Sequence, residues 1–446
     1  MLITNARLVT WERPNRILDD HALYIENGTI TALGPTAELA ARHPESAPVD
    51  ARGQFVMPGN ICAHTHFYGA FARGMAIPGE APCNFLEILS KLWWPLDKAL
   101  THEDIRYSAL VCLADAIRHG TTTLFDHHAS PNAIDGSLDV IAAAVEQSGL
   151  RAVLCYEVSD RDGPEKSRAG IAENQRFLKK QSAAPLSNLA ATFGLHASLT
   201  LSDATLDACK TANPGGGFHI HAAEGDADQY DSLTKSGMRV VNRLHAHGIL
   251  GPRSILAHCV RVDDSEIDLL AQTGTWVTHQ PRSNLNNAVG VAPVEALLRA
   301  GVQVGLGNDG FTNAMWEEWK TAYLVHKTWQ RDPRRMSAAD VAQMAVYHNA
   351  ALASLFFPQA PIGKLVPGAE ADLIFVDYHP FTPLTVGNLP WHIVFGFHES
   401  MITTTIVAGK VLMKDRKLLT LDEAEISARA LELVPQVWKR YQENAK

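Results

Sequence analysis

The sequence predicts an α/β fold: a (β/α)8 barrel with a small β-sandwich built from the two ends of the chain. Three observations predict it. Short apolar runs at 58–66, 120–126, 150–157, 190–197, 217–221, 254–258, 275–279 and 302–308 alternate with helix-like segments, the pattern of a parallel sheet with crossover helices. Hairpin-like strands gather at the two ends of the chain and share one character. Histidine or aspartate ends most of the central runs, and the C-terminal face of such a barrel is where active sites form.

Taken in order, 2–10, 22–26 and 29–33 read as strands, and Asn27-Gly28 is a tight hairpin turn between the last two. Near the other end, Gly363-Lys364-Leu365, 372–377 and 402–407 read as strands, the last followed by a turn at Ala408-Gly409-Lys410. The expected organisation is a composite sandwich of 1–57 and 361–420, a barrel over 58–360 and a helix over 421–446. Between the barrel strands, helices are expected over 104–119, 134–148, 265–273 and 293–300, with Thr101 and Asp104 as a capping box for the first. The last helix is amphipathic, with Ile426, Ala430, Val434, Trp438 and Tyr441 near one face and a kink expected at Pro435.

Composition narrows the function. The chain has 446 residues, 46% hydrophobic and 20% charged, with a net charge of −9, the balance of an ordinary globular protein. A nucleic-acid binder or membrane-surface protein needs a basic face. No apolar run approaches the ~18 residues of a membrane span. The N-terminus lacks the basic-then-apolar pattern of a signal peptide. Cys62, Cys83, Cys112, Cys155, Cys209 and Cys259 form no CxxC, so buried reduced thiols and a cytoplasmic location are expected. The unusual count is 20 histidines.

Nine of those histidines fall at or near strand ends, while His21, His43, His245, His247, His326, His348 and His379 read as ordinary surface or packing residues. The first run ends in His64-Thr65-His66, the second in Asp126-His127-His128, and the fourth in His196. The fifth carries His219-Ile220-His221 with Glu224 just beyond, and the last three end in His258, His279 and Asp309. On a strand, His-x-His puts both imidazoles on one face, where they can grip one ion at ~2.0–2.1 Å. Taken singly, plainer readings stand: Glu224 as a helix-opening acid, Asp309 as a turn residue in Asn308-Asp309-Gly310, His258 as a core histidine. His219 reads as support for His221. Of His127 and His128, only one can point inward. The segment 78–94 holds Phe85, Leu86, Trp93 and Trp94, suited equally to stacking on a flat heterocycle and to packing on the barrel rim.

The full motif set resembles the amidohydrolase superfamily, in its nucleobase- and triazine-deaminase branch. The residues that carry the resemblance are Val56-Met-Pro-Gly59, His64-Thr-His66, Phe71-Ala-Arg-Gly74, Gly120-Thr-Thr-Thr123, His221-Ala-Ala-Glu224, Leu256-Ala-His-Cys259, His279-Gln-Pro-Arg-Ser-Asn284, Gly307-Asn-Asp-Gly310 and Gly363-Lys-Leu-Val-Pro-Gly368. Leu92-Trp-Trp-Pro-Leu-Asp97 and Asp126-His-His-Ala-Ser-Pro131 resemble the SsnA-type aminohydrolases, and the Asp-His-His element is also similar to 8-oxoguanine deaminases.

The resemblance implies a metal-dependent hydrolase, expected to deaminate a small purine-, pterin- or triazine-like ring. It implies His64, His66, His221 and Asp309 as metal ligands. Glu224 would shuttle protons, His258 would sit beside the activated water, and Asp309 would also accept its proton. His196, His279, Arg73, His128 and Trp94 are the expected substrate contacts. Zn²⁺ suits this donor set, and Fe²⁺ is also accepted. Two-metal members carry a carboxylated lysine at the end of the fourth strand. Here that strand reads Gly194-Leu-His-Ala-Ser198, so one ion is expected. Gln280 and Asn308 depart from the residues commoner at those positions, asparagine and threonine. The expected partners are a small heterocyclic substrate and a second copy of the chain. Two other readings stand beside this one. A hydrolase of the same fold would expel chloride, alkylamine or sulfide, or open a ring amide. A non-catalytic scaffold would be expected to have lost its ligands.

Overall fold

The computed structural model describes residues 1–445. The N-terminal segment forms β1 (Leu2–Val9), β2 (Ile17–Glu26), β3 (Thr29–Pro35), β4 (Pro48–Asp50) and β5 (Phe55–Pro58). The central segment carries β6 (Asn60–Thr65), β7 (Thr121–His128), β8 (Arg151–Tyr156), β9 (Leu189–Ala191) and β10 (Phe193–Ala197). It continues with β11 (Phe218–Ala222), β12 (Ile255–His258), β13 (Trp276–His279) and β14 (Val304–Leu306). The C-terminal part adds β15 (Leu373–Val376), β16 (Ile402–Val407), β17 (Lys410–Lys414) and β18 (Lys417–Leu418), then a helix over Glu423–Asn444.

The two chain ends pair into one continuous nine-stranded sheet, in the order β18-β17-β16-β15-β5-β1-β2-β3 with β4 on β1. The antiparallel β5–β15 ladder, Phe55 opposite Val376 and Pro58 opposite Leu373, is where they join. Ile3, Leu8, Leu23, Val56, Leu373, Phe375 and Ile406 fill a core of its own. Gly363-Lys364-Leu365, expected as a strand, is a loop. Gly363 sits at φ 77°, and Pro361 and Pro367 nearby offer no ladder donor. Leu365 still enters the sheet core, and its N–H donates to the Thr10 carbonyl at 2.8 Å.

The barrel consists of two parallel sheets, β6–β9 and β10–β14. The fourth barrel strand is broken at Thr192 into β9 and β10, so the two sheets meet along two seams. One buried asparagine closes each seam. At β8/β10, the Asn174 side chain accepts from the N–H of Tyr156 (3.0 Å) and Gly194 (3.2 Å) and donates to the Tyr156 carbonyl (2.8 Å). At β6/β14, Asn349 accepts from the Leu306 N–H (2.8 Å) and donates to the carbonyls of Ile61 (2.6 Å) and Leu306 (2.9 Å). A Cβ at Gly307 would lie 2.8 Å from the His64 backbone, so only glycine allows the end of β14 to approach β6 this closely.

The helix His102–Arg118 starts with the expected Thr101–Asp104 capping box. The C-terminal helix buries Ile426, Leu433, Val437 and Tyr441 and runs past Pro435 without a break. Cys83 is exposed, whereas Cys62, Cys155, Cys209 and Cys259 are buried. Among the described residues, no helix is long and apolar enough to cross a membrane.

Replacing Asn349 by leucine strands several backbone groups at the β6/β14 seam, each costing ~1–3 kcal/mol when left buried and unpaired. The expected outcome is a clear fall in Tm by calorimetry, larger than for leucine at exposed Asn286.

Candidate metal centre

His64 and His66 leave β6 on one face, and both imidazoles turn into the barrel mouth. Across the barrel, His221 comes from β11, His258 from the end of β12, and Asp309 from the turn after β14. Ligand atoms of His64, His221, His258 and Asp309 all lie within 4.8 Å of one another. His66 Nε2 is 3.1 Å from His221 Nε2 and 3.0 Å from Asp309 Oδ1, and His64 Nε2 is 3.0 Å from the same oxygen. Donors ~3 Å apart can share an ion ~2.0–2.1 Å from each.

Tautomers decide whether those atoms can bind a cation. A carbonyl oxygen only accepts, so His66 Nδ1 donates to the His127 carbonyl (2.5 Å) and His221 Nδ1 donates to the His196 carbonyl (2.8 Å). His258 Nδ1 donates to Asn284 Oδ1 (2.8 Å), and His64 Nδ1 lies 2.9 Å from His219 Nε2. In the neutral rings of His66, His221 and His258, Nε2 therefore carries its lone pair inward. His258 Nε2 is buried without a hydrogen-bond partner. Outer-sphere acceptors of this kind orient metal-ligating histidines, and the donor set, three imidazoles and one carboxylate, fits a divalent cation.

The electrostatics agree. Burial lowers the pKa of His64 to about 3 and holds His221 and His258 below the ordinary value, so all three are neutral, as ligands must be. Burial opposes charge on His66 as well, yet the hydrogen bond and charge of Asp309 lift it to about 9. Burial also works against ionising Asp309, but the imidazoles of His258, His64 and His66 that face it keep its carboxyl well below the usual range. The single anionic donor thus draws positive charge, which a cation supplies.

Backbone strain accompanies this placement. His258 (φ 73°) and Asp309 (φ 55°) sit in the left-handed region, a conformation costly for non-glycine residues and frequent at functional sites. The departures at Gln280 and Asn308 stabilise those turns. Gln280 Oε1 accepts the His258 N–H at 3.1 Å, and Asn308 Oδ1 accepts the Gly310 N–H at 3.1 Å.

The centre opens into a cavity of about 510 Å³, within the ~300–1,000 Å³ of small-molecule sites. Its wall includes His66, His196, His221, Glu224 and Asp309, with Arg73, Phe85, Trp93 and Trp94 toward the mouth. Burial, and then the Asp309 charge, raise the Glu224 carboxyl well above its ordinary pKa. Glu224 Oε2 lies 3.4 Å from His258 Nε2, and Asn287 Nδ2 donates to Glu224 Oε1 at 3.5 Å.

A model of the amidohydrolase family matches residues 55–412. This chain belongs to the amidohydrolase family. A shorter match, to an imidazolonepropionase-like composite domain of bacteria, covers residues 22–45. The amidohydrolase is 33% identical over 436 residues to a 5'-deoxyadenosine deaminase of Methanosarcina mazei, covering 96% of each chain. It is 32% identical over 445 residues to a 5-methylthioadenosine/S-adenosylhomocysteine deaminase of Pelotomaculum thermopropionicum, covering 97% of this chain and 99% of the relative. Among solved structures, an adenosine deaminase from Xanthomonas campestris with bound zinc superposes with a TM-score of 0.85 at 27% identity, covering 98% of each chain.

Two expected substrate contacts of this amidohydrolase lie elsewhere. His128 is buried away from the cavity, with Nε2 2.9 Å from Ser130 Oγ. Neighbouring side chains of β7 point oppositely, and it is His127 that turns inward, its ring 4.7 Å from that of His221. His279 is buried against His326, Nε2 to Nε2 3.3 Å, and is not part of the cavity wall. His196, Arg73 and Trp94 do line it. The sequence reading missed Glu157, directly after β8, whose carboxylate lies 3.1 Å from His127 Nδ1. It also missed Asp97, on the cavity wall and paired with Arg161. The available signal for Glu157 was its position as the last residue of the 150–157 run, where other runs end in histidine.

His221→Ala removes one inward lone pair of the set. The expected outcome is loss of bound divalent metal from the purified protein, read by elemental analysis, with the far-ultraviolet dichroism unchanged.

Proposed function

We propose that this amidohydrolase is a hydrolytic deaminase that replaces the exocyclic amine of a purine-type ring by oxygen, with adenine nucleosides the first substrates to test. Zn²⁺ is the ion proposed for His64, His66, His221 and Asp309. The observation that carries the reading is Glu224, a buried carboxyl that faces the cavity beside the ligand cluster, with its pKa held well above the ordinary range.

The ion, when bound, lowers the pKa of a water and so makes a nucleophile available near neutral pH. The chain's own residues handle the protons. The raised pKa of Glu224 favours its protonated form, and Glu224 is placed to give that proton to the ring nitrogen as water adds at the neighbouring carbon. The proton taken from that water then goes to the departing amine, which leaves as ammonia, and the hydroxyl proton of the adduct returns to Glu224 as the carbonyl forms. Asn287 holds one Glu224 oxygen, so the other faces His258. His258 Nε2, 3.4 Å from Glu224 and 3.8 Å from Asp309 Oδ2, occupies the place where the attacking water must be oriented and developing charge met. Ser283 Oγ donates to Asp309 Oδ2 at 2.5 Å, fixing the oxygen that receives the water's proton.

The mouth supports a flat, polar-ended substrate. Phe85, Trp93 and Trp94 supply apolar faces. Asp97 also lines the cavity beside Trp94. The deaminase names of the relatives point the same way.

Glu224→Gln keeps the ligand set and removes the proton carrier. Zinc content should stay at the parent level while turnover falls by ~10²-fold or more. Ammonia release across adenine nucleosides, free purines, pterins and triazines tests the reaction itself: turnover without ammonia would replace the deaminase reading by expulsion of another leaving group.

A further inference from the structure

The mechanism leaves Asp228 without a role. It is buried, it reaches the cavity wall, and it stands shortly after Glu224 in the first turn of the helix Asp226–Ser236. An acid in that position ordinarily serves its own helix, whose first N–H groups lack partners. Asp228 instead accepts from two peptides outside the helix. Its Oδ2 takes the Ala223 N–H at 2.7 Å, and its Oδ1 takes the Leu199 N–H at 2.8 Å.

Those two peptides lie just past the ends of paired barrel strands. Ala223 follows β11 and directly precedes Glu224. Leu199 lies in the turn Ser198–Thr200 that follows β10, and β10 pairs with β11. Ala223 sits at φ 49°, a left-handed conformation that persists in a non-glycine residue only where its surroundings over-determine it. Both ends of its backbone are held: the Ala223 carbonyl accepts from the Arg261 N–H at 2.8 Å, and the Ala223 N–H is taken by Asp228. On the other side, Lys235 of the same helix donates to the Leu199 carbonyl at 2.8 Å. The helix is thus fixed to the end of β10 at two points, and Asp228 passes that anchorage to the turn that carries Glu224.

We propose that Asp228 is a positioning residue for the proton carrier: by tying the Ala223 peptide to the end of β10, it fixes where the Glu224 carboxyl stands at the reacting ring. Asn287 holds Glu224 at the carboxyl end of its side chain, and Asp228 holds it at the backbone end. Without the carboxylate, the Ala223 N–H is left buried and unpaired, at a cost of ~1–3 kcal/mol. The strained turn then relaxes toward commoner backbone angles, and Glu224 moves with it. Proton transfer depends on hydrogen-bond reach between donor and acceptor, so such a shift lowers the rate of the chemical step while leaving the ring's apolar contacts in place. The inference rests on Glu224 being the proton carrier of the proposed reaction.

The test compares three variants of the full chain on the adenine nucleoside that the wild type deaminates fastest. Asp228→Asn keeps the size of the side chain but turns its amide hydrogens toward one of the two N–H groups. Its kcat should fall ~10–100-fold, the size expected for a displacement of about 1 Å, with KM and metal content at the parent level. Asp228→Glu keeps both acceptors on a longer stem, and its kcat should stand between the two. Asp226→Asn removes an exposed acid from the same helix turn and should match the parent, so an equal fall there would trace the effect to the helix end and overturn the proposal. Parental kcat in Asp228→Asn overturns it as well. A raised KM at unchanged kcat overturns it by making Asp228 a substrate contact, and loss of metal overturns it by making Asp228 a support of the ligand set. Amide hydrogen exchange supplies a readout without turnover: peptides holding Ala223 and Leu199 should exchange faster in Asp228→Asn and the rest of the barrel at the parent rate. If the wild type releases no ammonia from any ring, the proposed function fails, and the exchange still decides whether Asp228 holds the turn. Should Asp228→Asn fail to fold, Asp228→Glu decides alone, parental turnover overturning the proposal.

Discussion

Everything at the barrel mouth depends on hydrogen bonds that reach the imidazoles from behind. His66 and His221 each give their Nδ1 hydrogen to a backbone carbonyl of the neighbouring barrel strand, at residues His127 and His196. The register of parallel strands therefore sets the tautomer of the ligands, and the tautomer sets where the lone pairs point. A slip of one residue in β7 or β10 would move those carbonyls and turn the rings. The two seam asparagines matter for the same reason. Asn349 holds β6, which carries His64 and His66, against β14, which leads to Asp309. Asn174 holds β8 against β10, next to Glu157 and His196.

Much of this was legible in the sequence, because strand periodicity and strand ends are local properties. His64-x-His66 and His219-x-His221 follow from the period of two, and the fold class follows from alternation. Which of His127 and His128 faces inward was not legible, since alternation gives two faces but not which one is the interior. Glu157 was hidden because one carboxylate after an apolar run looks like any strand-terminating residue until its neighbours from β6, β7 and β10 are in place. His279 misled for the opposite reason. It ends its strand as the ligands do, but a buried partner from the helix Met315–Gln330, His326, occupies it. Asn174 and Asn349 act only across seams, and nothing in their local sequence announces a tertiary hydrogen bond.

The positions of His258 and Asp309 could not have been read from pattern either. Both residues adopt positive φ, a conformation that strand periodicity does not signal. The surrounding side chains impose it: Gln280 ties down the His258 N–H, and Asn308 bridges the Asp309 turn. The two departures from the commoner family residues thus fall on the supports of strained positions rather than on substrate contacts. The support is built differently while the ligand geometry is kept.

The cavity roof is controlled from the far end of the chain. The segment carrying Phe85, Trp93 and Trp94 is braced by the C-terminal helix: the Tyr441 hydroxyl donates to the Lys91 carbonyl at 2.6 Å and Asn444 Nδ2 to the Pro95 carbonyl at 3.1 Å. Trp438 Nε1 donates to the Phe71 carbonyl at 2.8 Å, and Arg440 Nη2 to Asp104 at 2.6 Å. These bonds touch none of the residues that hold protons or the ion. The chemistry is therefore anchored in the barrel strands, and the substrate-facing roof in a separate helix-on-helix contact. Such a division lets the roof be reshaped for a different ring or sugar without disturbing the tautomers below, and the exposed outer face of that helix leaves it free to vary.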